Sequence, residues 1–181
     1  MDENKAGDFM NSVFQDYYSD NQSNTVRMKK TLRALFAINK VGKINFWVRA
    51  NIKYSNSSFR PFQLIGRMCH NHILKWYSSE ISPYSKIGKN VCFPHPIGIV
   101  IGNGVVLEDN VTVYQNVTIG KTCDEAEKYP VIGHGVTIYT GATIIGDVKI
   151  EENCVIGAHA VVTKSTEAGH IYAGVPAKKI K

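Results

Sequence analysis

From Ile81 onward, apolar residues recur every six positions: Ile81, Ile87 and Phe93, then Ile101, Leu107, Val113 and Ile119, then Ile132, Ile138, Ile144, Ile150, Ile156 and Val162. Four residues after most of them stands a small or β-branched partner, as at Val105, Val111, Val117, Val136, Ala142, Val148, Cys154 and Ala160. Neither a helical nor a simple alternating period generates this series, and a helix would not tolerate so many β-branched residues and glycines. A six-residue period predicts a parallel β-helix, in which each hexad supplies one short strand and one turn. The apolar residue points into a narrow prism, and the small one fills the corner beside it. Gly, Asn and Asp between them, such as Gly88, Asn110 and Gly133, turn the chain. No coil buries its face alone, so stability belongs to the stack. The repeats amount to about four triangular coils.

Two insertions interrupt the period. The step from Phe93 to Ile101 is eight residues, which adds two around His95-Pro96-Ile97-Gly98. The step from Ile119 to Ile132 is thirteen, which adds seven in a polar loop over 121–131. A solenoid must expel such insertions to its surface, where function commonly sits. Upstream of Ile81 the spacing becomes helical, at Val26, Leu32, Leu35, Phe36 and Ile38, at Ile44, Phe46, Trp47, Val48 and Ile52, and again from Pro61 to Tyr77. Two or three helices are expected to pack on the first coils. The chain therefore divides into a helical segment, 1–79, and a β-helix, 80–181.

Charge sharpens this division. The net charge is +6, yet residues 21–79 hold eleven basic residues and no acid, the first twenty hold five acids and one lysine, and the rest is nearly neutral. With 44% apolar residues and no stretch fit to span a bilayer, the composition is that of a soluble globular protein. The polar first residues carry no secretory pattern, so a cytoplasmic location is expected. Cys69, Cys92, Cys123 and Cys154 lie too far apart for a zinc clip or a disulfide framework. The basic segment, with Phe36, Phe46, Trp47, Tyr54, Phe59 and Trp76 interleaved, fits either a helical surface or peripheral contact with the anionic inner face of a membrane. Nucleic acid is set aside, because no binding motif accompanies the charge.

The strings Glu80-Ile-Ser-Pro, His95-Pro-Ile-Gly-Ile-Val-Ile-Gly102, Val113-Tyr-Gln-Asn-Val-Thr-Ile-Gly120 and Ala173-Gly-Val-Pro-Ala-Lys178 carry a resemblance. From Glu80 to the C-terminus the chain resembles hexapeptide-repeat acyltransferases, and among them serine acetyltransferases and the O-acetyltransferases of capsule and colanic acid synthesis. The resemblance implies a mainly β fold, a left-handed parallel β-helix with an N-terminal α-helical segment. It also implies a homotrimer with active sites between neighbouring prisms, acetyl-CoA as co-substrate and a histidine base. The left hand comes from the family alone, since general chirality rules favour right-handed crossovers.

His95 stands at the position of that base, and its imidazole suits proton transfer near neutral pH. Glu80, fifteen residues earlier, stands where the family places the carboxylate that orients the base. Contacts to CoA carried over by motif fall on Thr140, Ala158, Thr163, Lys164 and Lys178 in the C-terminal part, with Lys181 as a weaker candidate. Three departures from serine acetyltransferases bear on the acceptor: Pro94 replaces an aspartate before the histidine, Tyr129 replaces a second histidine in the inserted loop, and the family's C-terminal tail is not expected after Lys181. These departures favour a sugar hydroxyl of a surface polysaccharide as the expected acceptor. Serine in cysteine biosynthesis is the alternative, and a non-catalytic solenoid scaffold a further one. No metal is expected, since no prism histidines have the spacing of a three-histidine site.

Overall fold

The computed structural model describes residues 40–123 and 128–180. The expected helix around Val26 to Ile38, the acidic first twenty residues, Asp124 to Glu127 and Lys181 lie outside the described residues. Among the described residues two helices, α1 (Lys40–Ser55) and α2 (Arg60–Tyr77), precede fourteen short strands.

The strands form the three walls of a prism. The first wall stacks β1 (Glu80–Ile81), β3 (Val100–Ile101), β6 (Thr118–Gly120), β9 (Thr143–Ile145) and β12 (Val161–Val162). The second stacks β2 (Lys86–Ile87), β4 (Val106–Leu107), β7 (Val131–Ile132) and β10 (Lys149–Ile150). The third stacks β5 (Thr112–Val113), β8 (Thr137–Ile138), β11 (Val155–Ile156), β13 (Ile171–Ala173) and β14 (Lys178–Lys179), with Cys92 bridging to Thr112 below. All pairings are parallel except the last, where β14 turns back antiparallel on β13 and closes the upper end.

The register explains why the hexad works. On the first wall Ile81, Ile101, Ile119, Ile144 and Val162 lie directly above one another. On the second wall the column is Ile87, Leu107, Ile132 and Ile150. Every one of these is fully buried except the half-buried Ile87. The small residues that follow by four, from Val105 to Ala160, are buried beside them. Neither insertion shifts the register, because β3 and β7 re-enter their columns in phase. The fourth hexad position carries positive φ at two of the three corners, and there the sequence supplies Asn90, Asn110, Asn116, Gly135, Gly141, Asn153 and His159. Asparagine tolerates this left-handed conformation and glycine adopts it freely.

The open lower end explains the composition of α1. A coil with no neighbour beneath leaves backbone carbonyls unpaired, and only donors can satisfy them. Asn45 donates to Val91 O at 3.0 Å, Arg49 to Gly88 O at 2.7 Å and Asn51 to Ile81 O at 3.2 Å, so α1 serves each side of the triangle. Ile44 and Val48 are fully buried against the first coil. Acids in this helix could not donate these bonds, and it has none. Helix α2 starts with Pro61 in its first turn and ends at Ser78, which adopts φ 47° and donates its N–H to Leu74 O. That left-handed residue turns the chain from α2 into Ser79 and Glu80 of the first wall. Among the described residues, no helix is long and apolar enough to cross a membrane.

Candidate active site

The two-residue insertion makes a tight turn at the corner between the third and first walls. Within it Ile97 N–H donates to His95 O at 2.8 Å, and one coil above, Asn116 N–H donates to Ile97 O at 2.9 Å. His95 is thus thrust outward and exposed, while Pro96 beside it is buried. The turn is held from below by Ser79, only 1% exposed. The Ser79 hydroxyl accepts the Ile99 N–H at 3.1 Å and donates to Tyr77 O at 3.0 Å, with Pro96 O at 3.4 Å. Sequence reading gives no role to Ser79; its only signal is its place next to Glu80 and the corner.

Glu80 opens β1, pairs with Val100 and is exposed. Its side chain and that of His95 share no hydrogen bond in the single chain. They occupy the same wall edge, since Glu80 N–H donates to Ile99 O at 2.8 Å just beyond the His95 turn.

Above His95 an aromatic ladder climbs the corner. The His95 and Tyr114 rings lie 6.2 Å apart, and Tyr114 stacks on Tyr139 at 5.1 Å. Both tyrosines stand at the second position of their hexads, so the stacking is encoded in the period, although the period alone gives neither ring a role. Next to Tyr114, Gln115 has a buried side-chain oxygen with no partner. Gly141 N–H donates to Gln115 O and His159 N–H to Thr140 O, which lines up Gln115, Thr140 and Ala158 in one column above the His95 turn.

Of the residues carried over for CoA, Thr140 is half-buried and Ala158 exposed on this column. Thr163 and Lys164 are exposed just after β12, at the far edge of the first wall. Lys178 is exposed on β14, paired with Ala173, and the preceding Ala177 N–H donates to Val161 O. These residues therefore flank the first wall near its upper end.

The two acceptor-end positions part company. Pro94 is half-buried in the His95 corner. Tyr129 belongs to the corner between the first and second walls, where its ring covers Gly104: a Cβ there would lie 2.3 Å from Tyr129 Cδ2. Lys121 Nζ sits 5.5 Å from the same ring, and Lys128 pairs with Asp147 at 2.9 Å. Within one chain Tyr129 and His95 do not meet, because they lie at different corners of the prism.

The remaining histidines separate as well. His134 and His159 are exposed at turn positions. His70 and His72 of α2 are both half-buried. His72 stacks on Trp47 at 4.0 Å, and burial pushes its pKa below 6.5. The helical period places His72 correctly on α2, but the contact with α1 decides that it is covered. Among the described residues no three His, Cys, Asp or Glu side chains gather to hold a metal.

Comparison with known proteins agrees with this architecture. Residues 129–164 match the bacterial transferase hexapeptide (six repeats) family, and residues 85–115 match the hexapeptide repeat of succinyl-transferase. A serine acetyltransferase of Staphylococcus epidermidis is 43% identical over 103 residues, which cover 56% of this chain and 48% of the relative. A Staphylococcus aureus serine acetyltransferase is 42% identical over the same span. The chain thus spans about half the length of the curated relatives it matches, 48%. Among solved structures, Neisseria gonorrhoeae serine acetyltransferase superposes with a TM-score of 0.73 at 22% identity, covering 98% of this chain and 66% of that one. The Brucella abortus enzyme gives 0.62 at 22% identity, covering 96% and 82%. The shared fold is the left-handed parallel β-helix with helices before it. These relatives are serine acetyltransferases, which overturns the expectation of a polysaccharide sugar as acceptor. That expectation rested chiefly on Pro94 and Tyr129, with the basic segment as support, and the likeness of the surrounding β-helix outweighs them.

Proposed function

We propose that this hexapeptide-repeat acyltransferase, which resembles serine acetyltransferases, transfers an acetyl group from acetyl-CoA to the side-chain hydroxyl of serine. The observation that carries the reading is His95: an imidazole held outward by a buried turn, at the position where the resemblance puts the base. One ring nitrogen accepts the hydroxyl proton as the serine oxygen attacks the thioester carbonyl. The tetrahedral centre then collapses, the carbon–sulfur bond breaks, and the thiolate takes the proton back from the imidazolium. The products are O-acetylserine and CoA, and no covalent enzyme intermediate is needed. In this reading Glu80, on the same wall edge as His95, takes the other ring nitrogen once the cleft is assembled, fixing the tautomer and stabilising the cation.

CoA lies along the first wall, with Thr140 and Ala158 near its pantetheine arm and Thr163, Lys164 and Lys178 toward its phosphates. Lysine ammonium groups favour phosphate oxygens through charge-assisted hydrogen bonds. In this reading Tyr129 reaches the His95 corner from a second prism, in a homotrimer with sites between chains. Pro94 and Tyr129 line the acceptor end. With Pro94 in place of a carboxylate, the serine ammonium must find its partner elsewhere in the cleft.

The test is release of free thiol from acetyl-CoA with and without L-serine. Serine-dependent release is expected, and His95→Ala lowers kcat by about 10²-fold or more, as for loss of a general base, while CoA still binds. Release that L-serine does not accelerate, or activity retained by His95→Ala, overturns the reading.

A further inference from the structure

Away from the His95 corner, a cleft of about 340 Å³ opens between the two helices and the first coil. Its walls are Asn51 and Ser55 of α1, Gln63, Arg67, His70 and Asn71 of α2, and Pro83 and Tyr84 of the turn after β1. This volume lies near the lower end for small-molecule sites, and far above the roughly 30 Å³ of one water.

The chemistry of the walls is specific. Two of the polar groups are already engaged: Asn51 donates to Ile81 O and accepts from Ser55 Oγ, and Gln63 donates to Ser57 O. They form a fixed frame, with Asn51 fully buried. His70 is different, because its Nδ1 is buried and meets no partner. A ring nitrogen stripped of water without a hydrogen bond is costly, and a turn of the ring toward the cleft lets it meet a ligand atom there. Arg67 adds a permanent positive charge with a planar donor fork. Asn71 and the Tyr84 hydroxyl add donors and acceptors beside it. None of these lining residues is acidic, and the sequence has no acid between residues 21 and 79.

We infer that this cleft binds a small organic anion, with its carboxylate or phosphate on Arg67 and His70 and its hydroxyl groups on Asn71 and Tyr84. A bare ion would leave most of the volume empty, whereas a hydroxylated carboxylate or phosphate monoester fills it. The site does not depend on the acetyl-transfer reading, and its occupancy is measurable without turnover.

The experiment titrates the full chain with glycerol 3-phosphate, malate and inorganic phosphate by calorimetry, at fixed ionic strength set with KCl. Saturable binding of at least one organic probe, tighter than inorganic phosphate, is expected. Arg67→Gln and His70→Phe should each weaken it about tenfold or more, the worth of one charge-assisted hydrogen bond. Lys75→Gln removes a charge from the same helix outside the cleft and should leave binding unchanged. Arg67 is exposed, so Arg67→Gln should melt like the parent chain. No saturable binding of either organic probe overturns the inference. Equal weakening by Arg67→Gln and Lys75→Gln also overturns it, since that marks diffuse attraction to a basic surface.

Discussion

Ser79→Ala tests whether the His95 turn is held by one buried hydroxyl. The substitution removes the acceptor of the Ile99 N–H and the donor to Tyr77 O, in a place almost closed to water. A buried amide left unpaired costs about 1–3 kcal/mol. For a chain of this size each kcal/mol moves the melting temperature by about 2–4 °C, so a fall of roughly 2–12 °C is expected at fixed protein concentration. The same loss frees the turn that carries His95. A base displaced by about 1 Å can cost as much as 10²-fold in rate, so kcat should drop about ten- to a hundredfold with little change in KM for acetyl-CoA. Ser85→Ala is the matched control. Its hydroxyl is also buried and donates to Ser82 O at 2.7 Å, but it serves a different corner. It should lower the melting temperature and leave kcat alone. An unchanged melting temperature for Ser79→Ala would refute the energetic argument. A lowered one with unchanged kcat would refute the positioning argument.

Other perturbations follow from the same geometry. Gly141→Ala places a methyl carbon 2.4 Å from His159 Nδ1 at a residue with φ 69°. It should destabilise the β-helix by about 1–3 kcal/mol in chemical denaturation, and His159→Ala added to it should recover the steric part only. Glu80→Gln keeps the shape of the side chain but removes its charge. If Glu80 orients His95, kcat falls while the melting temperature holds, and an unchanged kcat would remove Glu80 from the mechanism. Burial, with the ring stacked on Trp47, lowers the folded pKa of His72 below the 6.5 of the unfolded chain. The unfolded state then binds the proton more readily, and stability contributed here is complete above about pH 6.5 and declines as pH falls below it. Trp47 fluorescence during unfolding at about pH 7.5 and 5.5 should show this decline, and His72→Phe should flatten it.

Much of the molecule is legible in the chain itself. A strict six-residue period allows few structures, because only a coil that returns to the same column every third hexad buries all these residues together. The predicted columns are the observed ones, from Ile81 up to Val162. The two breaks in the period also locate the surface insertions, and His95 stands in the first of them. The acceptor is misjudged from sequence for a physical reason: Pro94 and Tyr129 are two positions at different corners of the prism, and two substitutions do not specify what the rest of a site recognises.

The features that stay hidden depend on residues brought together from distant positions. The eleven basic residues without an acid read as a charged surface, or as a membrane contact. In the folded chain one of them serves a different purpose, since Arg49, with two asparagines, donates to the unpaired carbonyls of the lowest coil. No periodicity could reveal that, because it concerns an edge created only when the prism exists. Ser79 under the His95 turn, the separation of Tyr129 from His95, and the cleft around His70 have the same origin. Side-chain period and turn chemistry are local properties, and they suffice to specify a stacked β-helix with a histidine at an outward corner. Which backbone groups then need partners, and which side chains supply them, is settled by packing between segments far apart in the chain, where no local pattern reaches.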